Sequence, residues 1–380
     1  MNIAKWPAAG DRERELIQAV LDSPQWGGFH EIVGRFEQQF AAYQQCRYGV
    51  TTFNGTVSLE MMLTVAGIGP GDEVIVPAIS FISTATAVSR VGATPVFVDI
   101  EPHSFNLDPE RVTAAITPKT RVILAVHFGG PLCAINRIAK LAQEHRLILL
   151  EDAAHAHGSE WEGKRAGTFG LAGSFSFQNG KVMTAGEGGI VTTNDEEFYQ
   201  QCRSFANQGR QPGASFFHHF TLSTNLRMTA LQAAVLVAQL ERLDRDIELR
   251  RRNEEFIRKE LAGIPGLIWQ NIPEHVNRRS HYLLLGRIDP KAFGATRDVF
   301  YAQMAAKGIP CTPFYPHTLY RNPMYANGGC RVEPCPVSEA CILDAFWFPH
   351  RVLMSEQGTL EQLVFTVKHM AGIPHPCARA

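Results

Sequence analysis

Apolar and polar residues follow two alternating patterns up to about residue 200. Short runs of β-branched and aliphatic residues are typical of buried strands, and longer stretches with apolar residues every three or four positions are typical of helices. The short runs predict strands at Glu73–Pro77, Pro95–Ile100, Val122–Phe128 and Leu147–Leu150. The stretches between them predict helices at Val57–Ala66, Ile82–Val91, Pro109–Ile116 and Ala134–His145. This alternation favours an α/β fold with a mostly parallel sheet covered on both faces by helices.

A long helical pattern follows over residues 227–261, and Gly263–Pro265 ends it. The pattern changes from apolar to highly charged along its length, which suits a helix that leaves one core and bridges two domains. The rest of the chain is richer in proline, histidine and cysteine, and it predicts a smaller α+β domain. We therefore expect a large domain over residues 1–250, including an N-terminal amphipathic helix at 10–22, and a small C-terminal domain over 251–380.

The composition excludes several function classes. The chain has 380 residues, of which 45% are hydrophobic and 19% charged, and its net charge is -1. That balance gives no electrostatic reason for a nucleic-acid or membrane partner. The N-terminal residues have no apolar run of signal-peptide length, and no stretch approaches the ~18 apolar residues of a membrane span. We expect a cytoplasmic protein.

Cysteine spacing bears on redox state and metal binding. The eight cysteines stand at positions 46, 133, 202, 311, 330, 335, 341 and 377. None forms a CxxC motif, and Cys330 and Cys335 are too far apart for a usual zinc knuckle. We expect free thiols in a reducing compartment and no metal site.

In an open parallel sheet, ligands gather at the loops that follow the carboxyl ends of strands. Asn54, Gly55 and Thr56 follow the short run Tyr48–Phe53 and precede a predicted helix. Free N–H groups and a hydroxyl at a helix start can bind an anion. A plain threonine cap is the simpler explanation of these residues taken alone.

Glu151 and Asp152 close the apolar run before them, so a carboxylate lies at the ligand edge of the predicted sheet. It could bind magnesium, act as a base or pair with a cationic ring nitrogen. An ordinary hydrogen-bonded aspartate at a strand end is the alternative. His155 and His157 follow, but no further ligand pattern supports a metal.

The segment Ser174–Gly189 reads SFSFQNGKVMTAGEGG, which predicts a short strand, a turn that carries Lys181, and a glycine-rich return. Burial lowers the pKa of a lysine and makes its amine a nucleophile toward aldehydes. Glycines let the backbone approach a planar ligand closely. The chain has neither a GxGxxG nor a GxxxxGK[ST] motif, so a dinucleotide or P-loop site lacks its sequence signature.

Taken in order, these segments resemble the DegT/DnrJ/EryC1/StrS aminotransferase family, from about residue 5 to 375. The resemblance is carried by GDEVIVPAISFISTATAV, FVDIEPHSFNLDPERV, EDAAHAHGS, SFQNGKVMTAGEGGIVTTND and NLRMTALQAAVL. It implies the fold type I, aspartate aminotransferase-like architecture of enzymes dependent on pyridoxal 5'-phosphate (PLP). That fold has a large domain with a mostly parallel seven-stranded sheet, a smaller C-terminal α+β domain, and active sites shared across a homodimer.

The resemblance also implies roles for individual residues. Lys181 matches the lysine that holds PLP as a Schiff base and moves a proton during transamination. Asp152 matches the carboxylate that pairs with the pyridinium nitrogen and keeps the ring electron-withdrawing. The other implied cofactor contacts are the stacking ring of Phe81, the phosphate-binding residues Gly55, Thr56 and Ser176, and Asn225, which would reach the neighbouring subunit's phosphate.

His155 departs from the family pattern, which usually has glutamine beside the phenolic oxygen of the cofactor. Either side chain can donate a hydrogen bond, but a histidine can also titrate. The substrate contacts that the resemblance implies are weaker, because an ordinary structural role explains each of them as well: Trp26, Phe29, Arg227, His281, Tyr315 and His317.

Within the family, the chain looks most like the branch of 3-amino-5-hydroxybenzoate synthase and the aminocyclitol aminotransferases, on EDAAHAHG, SFQNGKVMTAGEGG, SHYLLLGRI (280–288) and HRVLM (350–354). This predicts transfer of an amino group from glutamate or glutamine to a cyclic keto substrate, a keto-sugar nucleotide or keto-cyclitol, in amino-sugar, polysaccharide or secondary-metabolite biosynthesis. A PLP-dependent dehydratase or aromatising synthase is the alternative. In the family's sugar dehydratases a histidine replaces the Schiff-base lysine, so Lys181 argues against that version. A non-catalytic regulator is a third hypothesis, and intact Lys181, Asp152 and Thr56 argue against it.

Overall fold

A computed structural model describes residues 2–373 of the chain. Its helices are α1 (Asp11–Leu21), α2 (Glu31–Tyr43), α3 (Gly55–Val65), α4 (Ser83–Arg90), α5 (Pro109–Ala115), α6 (Ile135–Glu144), α7 (Glu196–Ala206), α8 (Ala230–Glu260), α9 (Pro290–Phe293), α10 (Arg297–Ala306), α11 (Pro336–Asp344) and α12 (Gln357–Met370). Its strands are β1 (Tyr48–Thr52), β2 (Glu73–Pro77), β3 (Thr94–Val98), β4 (Thr120–Val126), β5 (Ile148–Asp152), β6 (Glu160–Trp161), β7 (Lys164–Arg165), β8 (Ala172–Ser176), β9 (Gly189–Thr193), β10 (Leu267–Trp269), β11 (Leu283–Ile288), β12 (Thr312–Pro313), β13 (Arg331–Val332) and β14 (Ala345–Pro349).

The main sheet has the strand order β1-β9-β8-β5-β4-β2-β3-β13 in the described part of the chain. Its neighbouring strands are parallel except at β9, which runs antiparallel to both β1 and β8. The predicted mostly parallel sheet is confirmed, but the count of seven strands is wrong because β13 adds an eighth at the edge beside β3. A strand of two residues is too short to show a period-two pattern, and its partner lies more than 230 residues away in sequence.

Helices cover the main sheet on both faces, and successive side chains of a strand enter different cores. In β2, Ile75 packs in the core below α1, α2 and α8, whereas Val74 and Val76 pack in the core below α3, α4 and α7. Strands that are buried on both faces read as continuous apolar runs. This explains why the sequence showed such runs and why the predicted elements differ from the observed ones mainly by a residue or two at their ends.

Helix α8 confirms the predicted long helix. Thr229 caps its first turn, with its hydroxyl accepting from the Gln232 backbone N–H and its own backbone N–H donating to the Gln232 side chain. Its apolar first part packs in the core below the main sheet, and Ile257 near its other end packs in the core of the second sheet. The helix runs through residue 250 without a break, so the expected domain boundary lies inside it, and the division at that residue stays a prediction.

A second sheet, β10-β11-β14-β12, follows α8 in sequence, and its described strands pair antiparallel. Its core contains apolar residues of α10 and α12, in agreement with the predicted α+β C-terminal region. Strand β11 begins directly after a segment that crosses the carboxyl edge of the main sheet. The Leu283 backbone N–H donates to Gly129 O in the loop after β4, at 3.1 Å. This crossing brings C-terminal residues to the ligand edge of the main sheet.

The cysteines, possible metal ligands and possible membrane spans were compared with expectation over residues 2–373. The seven cysteines among them are free thiols, and Cys377 lies outside the described residues. No group of His, Cys, Asp and Glu side chains in residues 2–373 has the arrangement of a metal site. In the same range, no helix is long and apolar enough to cross a membrane.

Candidate active site

A cavity of about 540 Å³ lies where strands of the main sheet end. Its walls come from the loops after β1, β2, β5 and β8, and from the C-terminal region. The cavity brings together eight of the residues predicted from sequence, which are Gly55, Thr56, Phe81, Asp152, His155, Ser176, Lys181 and Tyr315. Parallel strands explain this convergence, because their carboxyl ends meet at one edge of the sheet.

Lys181 lies in a turn after β8, where its backbone N–H donates to Gln178 O at 2.9 Å. The Gln178 side chain closes the turn by accepting from the Gly180 N–H at 2.7 Å. Desolvation by the surrounding protein lowers the Lys181 pKa to about 8, although the Asp152 carboxylate opposes the shift. A substantial fraction of the amine is therefore neutral near physiological pH, which is the form that attacks an aldehyde.

Asp152 ends β5 and is 6% exposed. Its Oδ2 accepts from the Thr84 hydroxyl at 2.7 Å and its Oδ1 accepts from the Ala154 N–H at 3.3 Å. Burial raises the pKa of this carboxyl group above its usual value, although these hydrogen bonds and the Lys181 charge oppose the shift. Asp152 has no ion-pair partner among the described residues. A buried carboxylate with an open side toward a cavity is suited to a cationic ligand group.

Glu151 precedes Asp152 but faces the opposite side of the sheet, since side chains alternate along a strand. Its carboxylate accepts from the backbone N–H groups of Gly167, Phe169 and Gly170 at 2.8 to 3.0 Å. It also accepts from His127 Nε2 at 3.0 Å. Glu151 is therefore a structural residue that fixes the loop after β7.

Two helix starts and the hydroxyl groups of Thr56 and Ser83 line part of the cavity. Helix α3 begins at Gly55, helix α4 begins at Ser83, and the Thr56 and Ser83 hydroxyls lie 2.7 Å apart. A Cβ at Gly55 would lie 2.7 Å from the Ser176 Cβ, so only glycine fits between this helix and β8. Unpaired N–H groups at a helix start favour an anion. This part of the cavity has the chemistry of a phosphate site.

The His155 ring lies in the wall between Phe128 and Tyr282, with its centroid 4.3 Å from that of Tyr282. Its Nδ1 accepts from the Gly129 backbone N–H at 3.3 Å, which places the ring proton on Nε2. Burial, together with the Lys181 charge, holds the His155 pKa well below its usual value. The histidine that replaces the family's glutamine is therefore a neutral donor.

Four predicted residues lie together elsewhere. The Arg227 guanidinium lies 4.9 Å from the Phe29 ring centre and donates to Asn207 Oδ1 at 2.8 Å, in a separate groove. Trp26 is a half-exposed neighbour of this groove in sequence, and its backbone carbonyl accepts from the Ala230 N–H. Asn225 pairs with Asn207 through the backbone. None of the four lines the cavity of its own chain.

His281 and His317 also lie outside the cavity lining. His281 is buried, and its Nδ1 lies 2.7 Å from Glu254 Oε2. His317 donates from Nδ1 to the Thr318 carbonyl at 3.1 Å. Both rings make local structural contacts in this chain, which was the alternative explanation for them.

Sequence reasoning missed four residues of the site. Ser83 and Thr84 belong to the FISTATAV segment that carried the resemblance, but nothing in their spacing marked them as ligand contacts. Tyr282 and Trp347 reach the cavity from the C-terminal sheet. Tyr282 is the direct neighbour of His281. The SHYLLLGRI segment therefore does contain a cavity residue, but that residue is Tyr282 and not the predicted His281.

These groups fit PLP. Lys181 offers an amine of lowered pKa, Asp152 an unpaired buried carboxylate, the starts of α3 and α4 a phosphate site, and Phe81 an exposed ring at the cavity mouth. The fold and this site define a fold type I PLP-dependent enzyme. The chain belongs to the DegT/DnrJ/EryC1/StrS aminotransferase family, whose sequence model matches residues 7–367, and it is a PLP-dependent aminotransferase.

Individual relatives and a solved structure support the same family. The chain is 37% identical to the 3-amino-5-hydroxybenzoate synthase of Amycolatopsis mediterranei (strain S699), covering 93% of this chain and 94% of that protein. It is 36% identical to a putative L-glutamine:3-amino-2,3-dideoxy-scyllo-inosose aminotransferase of Streptoalloteichus tenebrarius, covering 95% and 92%. A crystal structure of 3-amino-5-hydroxybenzoic acid synthase superposes with a TM-score of 0.92 at 35% identity, covering 98% of this chain and 99% of that one.

Proposed function

We propose that this aminotransferase moves an amino group from glutamate or glutamine to a cyclic ketone, either a keto-cyclitol or a keto-sugar nucleotide. The observation that carries the proposal is the presence of three aromatic rings, Tyr282, Tyr315 and Trp347, in the cavity wall, with the Tyr282 ring centre 4.8 Å from Lys181 Nζ. Flat aromatic faces pack well against the C–H groups of a saturated ring. The relative named as a scyllo-inosose aminotransferase supports a cyclitol acceptor and glutamine as donor. Amino-sugar, polysaccharide or secondary-metabolite biosynthesis would use such a product.

The cavity residues divide the work of binding and proton transfer. When bound, PLP supplies an aldehyde carbon and an electron-withdrawing pyridinium ring. Asp152 would accept the pyridinium N–H and keep that nitrogen protonated, while His155 Nε2 would donate to the phenolic oxygen. Gly55, Thr56 and Ser176 would hold the phosphate.

Lys181 has two tasks in this proposal. Its Nζ would hold the cofactor, and when it is free the same nitrogen would accept and return the proton at the substrate carbon. A pKa of about 8 suits both tasks, because neither the neutral nor the charged amine is rare at physiological pH.

Absorbance spectroscopy tests the donor and the acceptor separately. Glutamate and glutamine are added one at a time to the purified holoenzyme, and the bound cofactor's visible band should give way to the near-ultraviolet band of its aminated form. Keto-cyclitols and keto-sugar nucleotides are then screened for return of the first band. If neither amino acid changes the spectrum, the proposed donor is wrong. Acyclic ketones are included in the same screen, and if they alone restore the band, the proposed acceptor class is wrong.

An aromatising synthase is the second candidate, and the 37% identity to 3-amino-5-hydroxybenzoate synthase favours it. Such an enzyme forms an aromatic product without a net change in the amino donor. Holoenzyme incubated with amino-cyclohexenone carboxylates should then generate the ultraviolet band of an aminobenzoate while glutamate and glutamine stay unconsumed. Amino transfer without an aromatic product would reject this candidate.

The proposed enzyme is a homodimer with shared active sites. Residues 207–225 expose large apolar side chains, with Phe217 81% and Leu222 99% exposed. Several large apolar side chains exposed in one segment are typical of a protein interface. Asn225 ends this segment outside its own cavity, where it would reach the phosphate of a second subunit. The expected cytoplasmic location stays a prediction.

A further inference from the structure

Tyr282 lies between the two residues whose chemistry matters most in the cavity. Lys181 Nζ lies 4.8 Å from the centre of the Tyr282 ring, and the His155 ring centroid lies 4.3 Å from it. Tyr282 belongs to the C-terminal region, whereas both of its neighbours belong to loops of the main sheet. One side chain therefore contacts the cofactor lysine and the residue that replaces the family's glutamine.

The backbone before Tyr282 has an unusual conformation. His281 has φ 55°, a left-handed conformation that residues other than glycine rarely adopt. Its side chain is held by Glu254 of α8, which also accepts from Arg279 Nη2 at 2.8 Å. Tyr282, the next residue, lines the cavity, whereas His281 itself does not.

A second contact joins the same part of the chain to the lysine turn. The His350 backbone N–H donates to Tyr282 O at 3.0 Å, and His350 Nε2 donates to Gly180 O at 3.2 Å. The His350 and Tyr282 rings stack with centroids 6.0 Å apart. The C-terminal region thus contacts the lysine turn twice. His350 binds the Gly180 carbonyl, and the Tyr282 ring lies against Lys181 Nζ.

We propose that Tyr282 is a positioning residue for Lys181, whose ammonium group its ring face holds whenever the lysine is released from the cofactor, and for His155, whose ring it orients. The inference rests on the proposed role of Lys181 as the cofactor lysine. His281 and His350 act through Tyr282 and through Gly180, so they position the site without touching the substrate.

The electrostatic reason is the attraction between an ammonium group and the negative face of an aromatic ring, which grows when water is excluded. The titratable groups around Lys181 are Asp152 at the end of β5, His155 and His157 in the turn after it, Glu187 in the glycine-rich return, and Tyr282 and Tyr315 from the C-terminal region. Burial keeps both histidines neutral. Glu187 is exposed to solvent, so Asp152 and the Tyr282 ring are the groups against Lys181 that stabilise its charged form.

Cofactor incorporation measured against pH tests this inference in the full-length chain. PLP is removed, then returned at a series of pH values between 6 and 10, and the rate is followed by absorbance in a stopped-flow instrument. Tyr282→Leu removes the ring and Tyr282→Phe keeps it. Borohydride reduction and peptide mapping identify the modified lysine in each variant.

Loss of the ring face destabilises the ammonium form, so the midpoint for Tyr282→Leu should fall by about half to one pH unit. The plateau rate should fall several-fold because the amine is less well oriented. Tyr282→Phe should keep the wild-type midpoint. An unchanged midpoint for Tyr282→Leu would show a merely structural role, and a raised midpoint would show that the ring acts by excluding water. Either result overturns the inference, whereas a reduced lysine other than Lys181 in the wild-type chain overturns the proposed function instead.

Discussion

Asp152 and Glu151 show how much one position along a strand decides. The two acidic residues are adjacent in sequence and both are buried. The Glu151 carboxylate accepts hydrogen bonds from three backbone N–H groups and a histidine. Asp152 faces the cavity without an ion-pair partner among the described residues. The sequence placed a carboxylate at the ligand edge. The period-two alternation of the strand decided which of the two faces the cavity.

Asp152→Asn separates catalysis from stability. The amide cannot stabilise a protonated pyridinium nitrogen, so turnover should fall on the order of 10²-fold or more, as when other electrostatic contacts to a reacting centre are removed. Burial raises the pKa of Asp152, so its ionised form is less stable in the folded protein than in the unfolded chain. The cofactor-free variant should therefore unfold at the same temperature as wild type or higher. Turnover and thermal unfolding of the same preparation check both statements, and near-wild-type turnover would contradict the assigned role.

The neutral state of His155 gives a second prediction at this scale. Because its pKa lies well below the usual value, the spectrum of the bound cofactor should show no transition from this histidine between about pH 6 and 8. His155→Gln keeps a neutral donor and should retain activity within a few-fold. His155→Ala loses one hydrogen bond of about 1 kcal/mol, which corresponds to roughly a fivefold loss. A Gln variant as impaired as the Ala variant would contradict a simple donor role.

At the scale of elements, the start of α3 depends on a close approach to β8. Gly55→Ala would bring a Cβ within 2.7 Å of the Ser176 Cβ, so the helix start must shift away from the strand. We expect PLP affinity to fall by about tenfold or more, because N–H groups that bind an anion are sensitive to direction. Gly358→Ala is the matched control, since a Cβ there meets nothing within 4 Å. Equilibrium titration with PLP measures both variants, and equal affinities would contradict the phosphate site.

The segment before β11 depends on Glu254 of α8. Burial alone would raise the Glu254 pKa, but the Arg279 charge, the His281 hydrogen bond and the Arg258 charge hold it well below its usual value. Glu254→Gln leaves buried cationic groups without their partner and should lower the free energy of unfolding by about 3 kcal/mol at pH 7.

The loss of unfolding free energy in Glu254→Gln should depend on pH, because the pKa of Glu254 is lowered in the folded protein. A carboxylate with a lowered pKa in the fold stabilises the protein above its unfolded pKa, and this contribution disappears as the pH falls toward the folded pKa. The difference between wild type and Glu254→Gln should therefore shrink below about pH 4.5. Glu248→Gln is the control, because it removes an exposed partner of Arg251 on the same helix and should leave unfolding unchanged. Urea unfolding at several pH values measures both.

At the scale of the whole molecule, the proposed sharing of active sites predicts complementation. Lys181→Ala and Asn225→Asp subunits, each inactive or nearly so alone, are co-expressed. A mixed dimer would contain one site with both native residues, so random pairing should restore about a quarter of wild-type activity. Lys181→Ala paired with Asp152→Asn is the control, because those two residues belong to the same chain's cavity and no site is restored. Equal recovery in the two pairs, or a monomer in sedimentation, would contradict shared sites.

Local pattern and motif were enough to predict the parallel sheet, the long helix and the residues of the cavity that follow strand ends. These features depend on short stretches of chain, where side-chain periodicity and glycine placement leave a direct trace in the sequence. The eighth strand, Tyr282 and Trp347 were missed because each depends on pairing between distant parts of the chain. The sequence analysis named His281 and not Tyr282, because a sequence does not show that the backbone of His281 is left-handed or which of the two side chains lines the cavity.

The sequence by itself determined the α/β class and the family, and it predicted Lys181 and Asp152 as the centre of the site. The class follows from strands that are buried on both faces, whereas the family and the two site residues follow from motifs that lie in the loops after those strands. Tertiary structure decided which neighbour of each pair faces the cavity, fixed the proton of His155 on Nε2, and brought the ring of Tyr282 to Lys181. The physical reason is that these outcomes depend on backbone direction and on contacts across the two sheets, which no local pattern of apolar and polar residues records.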